Sequence, residues 1–249
     1  MKNRFTVSVV INWIIIILTI FSTFSMMAGF NFMDKTTLEF SATRFESFKY
    51  FTIDSNVFAG IVSIVYLCYI NNKKKKNALL AEHPHGGQDE TGSLPATTNF
   101  SMPQWLAFLK LAATTSVMLT MMVTVCFLAP TSSRGYFALF KNSNLFFHFV
   151  IPVLCIVSFI FFEPAEKPVR FLQTLTGIIP MFIYSLFYTI NILLHLENGQ
   201  LVRRYDWYGF LGGKISNVIF VLPAIYLITW IFSIVLWLGN KRRTRNFKA

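Results

Sequence analysis

The stretch Ile11-Asn12-Trp13-Ile14-Ile15-Ile16-Ile17-Leu18-Thr19-Ile20-Phe21 decides the class of this protein. It carries no charge and lies at the centre of an apolar run from Val7 to Phe30. A helix needs roughly 20 apolar residues to cross a hydrocarbon core of about 30 Å, and this run has that length. Five further runs of the same kind follow, at 50–70, 105–129, 144–162, 171–194 and 215–239. Lipid leaves no partner for an unpaired backbone group, so all six are expected to be helices. Pro152, Pro180 and Pro223 fall inside spans, where neighbouring helices tolerate a kink. The first run follows Lys2 and Arg4, as a signal peptide would. Its apolar stretch is too long for one and no small-residue cleavage site follows, so it reads as a retained helix.

The composition agrees. Of 249 residues, 54% are hydrophobic, 17% aromatic with 28 Phe, and only 13% charged. A soluble domain averages about 25% charged residues, which it needs to cover its exterior. An ordinary soluble enzyme and a disordered chain are therefore excluded. The formal charge of +11 would suit a nucleic-acid binder, but the apolar content argues against one. The expected fold is all-α: a polytopic integral membrane protein with six transmembrane helices in a single domain, 1–249, multi-pass in the plasma (cell) membrane.

The basic excess then has a topological meaning. The N-tail, the second-to-third connection with Lys73-Lys74-Lys75-Lys76, the fourth-to-fifth connection and the C-tail together carry 13 cations. Lys110, expected to snorkel from the third helix, makes 14. The opposite side carries eight: Lys35, Arg44, Lys49, Arg134, Lys141, Arg203, Arg204 and Lys214. Both termini are accordingly expected in the cytoplasm.

The connection 71–104 reads as a flexible cytoplasmic linker whose lysine run touches anionic headgroups. Its His83-Pro84-His85 is a weak metal signal, and Asn99-Phe100-Ser101 fits a glycosylation sequon on the wrong side of the membrane. The connection Asn31 to Lys49 suggests a short helix lying in the interface. Cys68, Cys126 and Cys155 fall in spans at different depths, which argues against disulfides and against a zinc site. No metal and no cofactor are expected.

In so apolar a chain, each polar group within a span needs a reason. Thr52 and Asn56 are four apart and share a helix face, while Asp54 points elsewhere, near the outer end where water is in reach. Their bland readings are a back-bond to the helix and interhelical glue. Asn144 and His148 open the fourth helix, and His148 lies about 5–6 Å below the outer boundary, the depth of Thr52. Tyr184, Tyr188, Asn191 and His195 follow at i, i+4, i+7 and i+11, one continuous face of the fifth helix. Such a stripe belongs in a bundle interior or a water-filled cavity. Arg203-Arg204-Tyr205-Asp206-Trp207-Tyr208 reads first as interfacial anchoring, and second as an Arg pair for a carboxylate or phosphate. No span carries the paired charges of an ion-coupled pump, and no internal repeat is present.

Three segments resemble a known family. Phe51-Thr52-Ile53-Asp54-Ser55-Asn56 is similar to the F-T-x-x-S-N signature of bacterial six-helix integral membrane proteins. These resemble, more distantly, the androgen-induced and androgen-dependent membrane threonine hydrolases of animals. His148-Phe149-Val150-Ile151-Pro152 resembles the family's H-x-x-x-P segment, and Trp207-Tyr208-Gly209-Phe210-Leu211 its Y-P-F-L segment, with Gly209 in place of the Pro. The resemblance implies six helices, a catalytic Thr at Thr52 and a catalytic His at His148, and hydrolysis of fatty-acyl esters.

Two functions are therefore expected. In the first, Thr52 attacks an acyl carbonyl, His148 takes its proton, and Asn56 or Tyr188 donates to the oxyanion. His195 would orient His148 or hold a substrate carboxylate. In the second, Asn56, Tyr184, Tyr188, Asn191 and His195 line a pocket of a non-enzymatic protein that binds, senses or passes a small amphiphile. The expected partners are membrane lipids and an amphiphilic small molecule.

Overall fold

The computed structural model describes residues 2–33, 44–82 and 101–246. Six helices in it are long and apolar enough to cross a membrane: α1 (Arg4–Ala28), α2 (Phe51–Leu79), α3 (Gln104–Leu128), α4 (Ser143–Phe161), α5 (Phe171–Leu194) and α6 (Ile215–Arg242). Each coincides with an apolar run of the sequence. No named strand occurs among the described residues.

α3 is the axis of the bundle. Leu106, Leu111, Val117, Thr115 and Ser116 on it are all fully buried. Its stretch Ala112-Ala113-Thr114-Thr115-Ser116 is small on every side, so neighbouring backbones approach closely. At Gly177, the start of α5 passes so near that an added Cβ would lie 2.5 Å from Ser233 Oγ and 3.0 Å from Thr115 Oγ1. α1 presents Ser8, Asn12, Ile15, Thr19 and Ser22 inward at helical spacing, all buried, and meets α2 where Thr19 faces Gly60.

α2 runs as helix to Glu82. The expected linker at 71–104 thus begins as helix, and the lysine run sits on the last turns of α2. Lys, Asn, Ala and Leu accept helix there, and cations near a helix C-terminus complement its dipole. Lys74 lies 4.5 Å from the Phe5 ring centroid and Lys73 Nζ 3.2 Å from Glu166 Oε1, tying the ends of α1, α2 and α4 together. His83-Pro84-His85 and the Asn99-Phe100 part of the sequon lie outside the described residues. Of the expected interfacial helix at 31–49, Arg44–Lys49 is a 3₁₀ helix, and 34–43 lie outside the described residues.

Lys110 corrects two expectations. It does not snorkel outward but is 5% exposed, with Nζ 3.0 Å from Glu163 Oε1 and 2.5 Å from Asn12 Oδ1. Asn12 Nδ2 and Ser158 Oγ also donate to Glu163 Oε1, each at 2.7 Å. A buried charge pair is therefore present, between α3 and the residue stretch just past α4. Burial forces the pairing, because either charge alone in an apolar interior is costly.

Candidate functional site

Besides the 3₁₀ turns that open α5 and α6, two spans depart from α-helical pitch, and both do so at the site. Thr124–Leu128 at the end of α3 and Phe146–Val150 near the start of α4 are π-helical turns. Pro152 explains the second: it has no N–H for the carbonyl of His148, and the Ile151 N–H bonds back to Phe146 O instead. π turns frequently mark functional sites. Here they bring Thr124 Oγ1 within 2.7 Å of His148 Nδ1, in a hydrogen bond that fixes the ring. When Nδ1 is the donor, Nε2 is left as an acceptor, the form a base needs.

Thr52 and His148, 96 positions apart in sequence, line one small cavity of ≈ 40 Å³ together with Tyr50, Asn144, Leu139 and Tyr208. A space of this size has room for water but not for an acyl chain. Asn56 does not reach into it. Its Nδ2 donates to Thr52 O at 2.7 Å and to Phe147 O at 3.1 Å, clamping the first turn of α2 to the turn that carries His148. Tyr208 closes the cavity. Its hydroxyl oxygen accepts the Phe51 N–H at 2.8 Å and is within hydrogen-bonding reach of the Thr52 side chain. Burial pushes the Tyr208 phenol well above its usual range, so it keeps its proton.

The tyrosine stripe serves a different space. Tyr184, Tyr188 and Asn191 line a cavity of ≈ 900 Å³ enclosed by α2, α3, α5 and the Trp207 loop. Tyr208 stands between the two cavities, its ring against Tyr184 and Tyr188 at 6.5 and 6.2 Å. Both stripe phenols are committed as donors: Tyr184 to Lys49 O at 2.5 Å and Tyr188 to Asp206 Oδ1. Tyr188 therefore has no proton free for an oxyanion. Asp206 Oδ2 in turn accepts the Leu211 N–H at 3.2 Å, so one buried carboxylate holds the loop on α5. Asn191 Nδ2 is buried with no hydrogen-bond partner.

His195 stands apart from both cavities. Its Nδ1–H donates to Asn191 O at 2.7 Å and its ring stacks on Tyr205 at 4.0 Å. Arg203 and Arg204 are exposed and line neither cavity. Asp54, on the α2 face opposite Thr52, lines the large cavity.

The sequence reading missed Thr124, Tyr208 and the role of Asp54. The break in helical regularity at Pro152 was a local signal for His148, but nothing local pointed to Thr124. No family model, curated protein or solved structure matches this chain.

Proposed function

We propose that this protein binds a single-chain amphiphile in the ≈ 900 Å³ cavity, with its termini in the cytoplasm and the polar end of the cavity in the outer half of the plasma membrane. The observation that carries this reading is the polarity of the cavity along its length. Phe108, Leu109 and Ile179 line its inner part, and Asp54, Asn191 and Trp207 its far end. From Thr176 to Asn191 it follows α5 over about 22 Å, at 1.5 Å per residue. Its size is that of a ligand site, for which volumes of about 300–1,000 Å³ are usual. Ile179, Ile183 and Phe187 line it and are exposed, so the cavity is open along α5 and a chain can enter sideways from the hydrocarbon. The cation count of the connections supports the orientation.

The experiment is photolabelling of the purified full-length protein in nanodiscs with an alkyl diazirine probe. Labelling of α2, α3 and α5 is expected to be displaced by excess unlabelled amphiphile, and to fall in Ala112→Phe, which puts a ring into the inner part of the cavity. Labelling that is not displaceable, or that Ala112→Phe leaves unchanged, overturns the reading.

A second reading, lipid ester hydrolysis, is favoured by the Thr52–His148 cavity. Thr52 Oγ would attack the acyl carbonyl as His148 takes its proton; His148 would pass that proton to the departing alkoxide as the ester C–O bond breaks, water would then release the acyl group from Thr52, and Thr124 would hold the His148 ring. The cavity as it stands is too small for an ester, so this reading requires its lining, Tyr208 among it, to open. Turnover of branched fatty-acyl esters, lost in both Thr52→Ala and His148→Ala, supports it. Turnover indifferent to both substitutions removes it.

A further inference from the structure

The ligand's head group can be assigned from the charges at the polar end of the large cavity, given that an amphiphile binds there. Asp54 is the one carboxylate lining that cavity among the described residues, and no hydrogen bond or ion pair reaches it there. It sits in the first turn of α2, where a carboxylate complements the helix dipole. That role requires only its charge. It does not explain an unpaired acceptor facing a mostly apolar space, where a charge is costly without a partner.

The cations nearby are occupied elsewhere. Lys49 lines the cavity, but its Nζ is 2.6 Å from Glu46 Oε1 and lies over the Tyr50 ring at 5.3 Å. Asn191 Nδ2 is an unpartnered donor in the wall, but it is neutral, so among the described residues the cavity offers an anionic head no cation that is not already paired. The same cavity that Asp54 lines has an aromatic wall. Phe51, Tyr184, Tyr188 and Trp207 form a contiguous wall, with ring centroids 5.1 Å apart for Phe51 and Tyr184, 6.2 Å for Tyr184 and Tyr188, and 4.9 Å for Tyr188 and Trp207. Because both phenols already donate elsewhere, the tyrosines offer ring faces more than protons. Trp207 Nε1 likewise donates to Tyr184 Oη at 3.1 Å.

A carboxylate beside aromatic faces is the chemistry that recognises an ammonium group, since the faces attract cations and the carboxylate neutralises them. We propose that the ligand is a cationic amphiphile, an amine or quaternary ammonium on a single alkyl chain, with its head between Asp54 and the aromatic wall.

The test uses displacement of the alkyl diazirine probe from the full-length protein in zwitterionic nanodiscs. Three hexadecyl competitors differ only in head: trimethylammonium, sulfate and an uncharged oligoethylene glycol, each at measured membrane-bound concentration. In the wild type the ammonium compound is expected to half-displace the probe at a concentration about tenfold below the uncharged one, the equivalent of about 1.4 kcal/mol. Asp54→Asn should bring the two together and Asp54→Glu should restore the gap. Equal displacement by ammonium and uncharged heads, or stronger displacement by sulfate, overturns the head-group assignment and leaves amphiphile binding intact. A preference that survives in Asp54→Asn overturns it too. Failure of all three competitors removes both readings. If Asp54→Asn does not fold, the wild-type comparison alone decides.

Discussion

Thr124 Oγ1 and His148 Nδ1 are 2.7 Å apart, and each residue occupies a π-helical turn of its own helix. The irregular turns, one of them adjoining Pro152, aim both into the space between α3 and α4.

Thr124→Val keeps the shape of the side chain and removes the hydroxyl. His148 is 8% exposed, so its Nδ1 is left without a partner, at a cost of about 1–3 kcal/mol. Thermal unfolding in detergent is expected to shift down for Thr124→Val and to stay near wild type for Thr124→Ser. Equal melting of all three would mean that the bond contributes nothing.

Asp206 is 4% exposed and accepts from both Tyr188 and the Leu211 backbone. Replacing it with Ala leaves both donors buried and unpaired. Amide hydrogen exchange over 205–213 should accelerate, while exchange in α1 and α3 stays slow. A loop as protected as in the wild type would show that aromatic packing alone holds it.

For the Lys110–Glu163 pair, single and double substitutions should differ in kind. Lys110→Met leaves a buried carboxylate and Glu163→Met a buried ammonium, each costing about 3–5 kcal/mol. The double variant Lys110→Met with Glu163→Met removes both charges and is expected to lose less than the sum of the singles. A double-variant loss equal to that sum, measured by the same melting experiment, would show the two charges uncoupled.

Gly177→Ala places a Cβ 2.5 Å from Ser233 Oγ and 2.7 Å from Ser233 Cβ, closer than packed atoms allow. The helices must part, at a cost of about 1–3 kcal/mol. Ser233→Gly should recover part of the loss by opening space on α6. If Gly177→Ala melts like the wild type, the close crossing of α3, α5 and α6 is not a determinant of stability.

The spans were legible because hydropathy is summed locally: Ile14 to Ile17 are apolar whatever packs on them. The stripe Tyr184, Tyr188 and Asn191 was legible as a face because helical periodicity is also local, and that face does line a cavity. His195 continues the period but not the cavity, since the helix ends there and Tyr205 captures its ring. Thr52 and His148 matched in depth, a quantity that counts residues from a helix end. Lys110 misled, because its partners come from elsewhere in the chain, Asn12 from α1 and Glu163 from the stretch just past α4. The same holds for Asp54: which neighbour its face meets is not written in its own turn.

By itself, then, the sequence determined six apolar helices, their order, and the residues that break their apolarity. It could do so because backbone hydrogen bonding in an apolar medium leaves a helix as the sole solution for each long run. Only the tertiary structure decided that Thr52 and Asp54, two residues apart, serve different cavities, that Thr124 holds His148, and that Lys110 meets Glu163. Those outcomes depend on helix rotation and crossing, which are set by close contacts such as Gly60 on Thr19 and Gly177 on Ser233 between segments far apart in the chain.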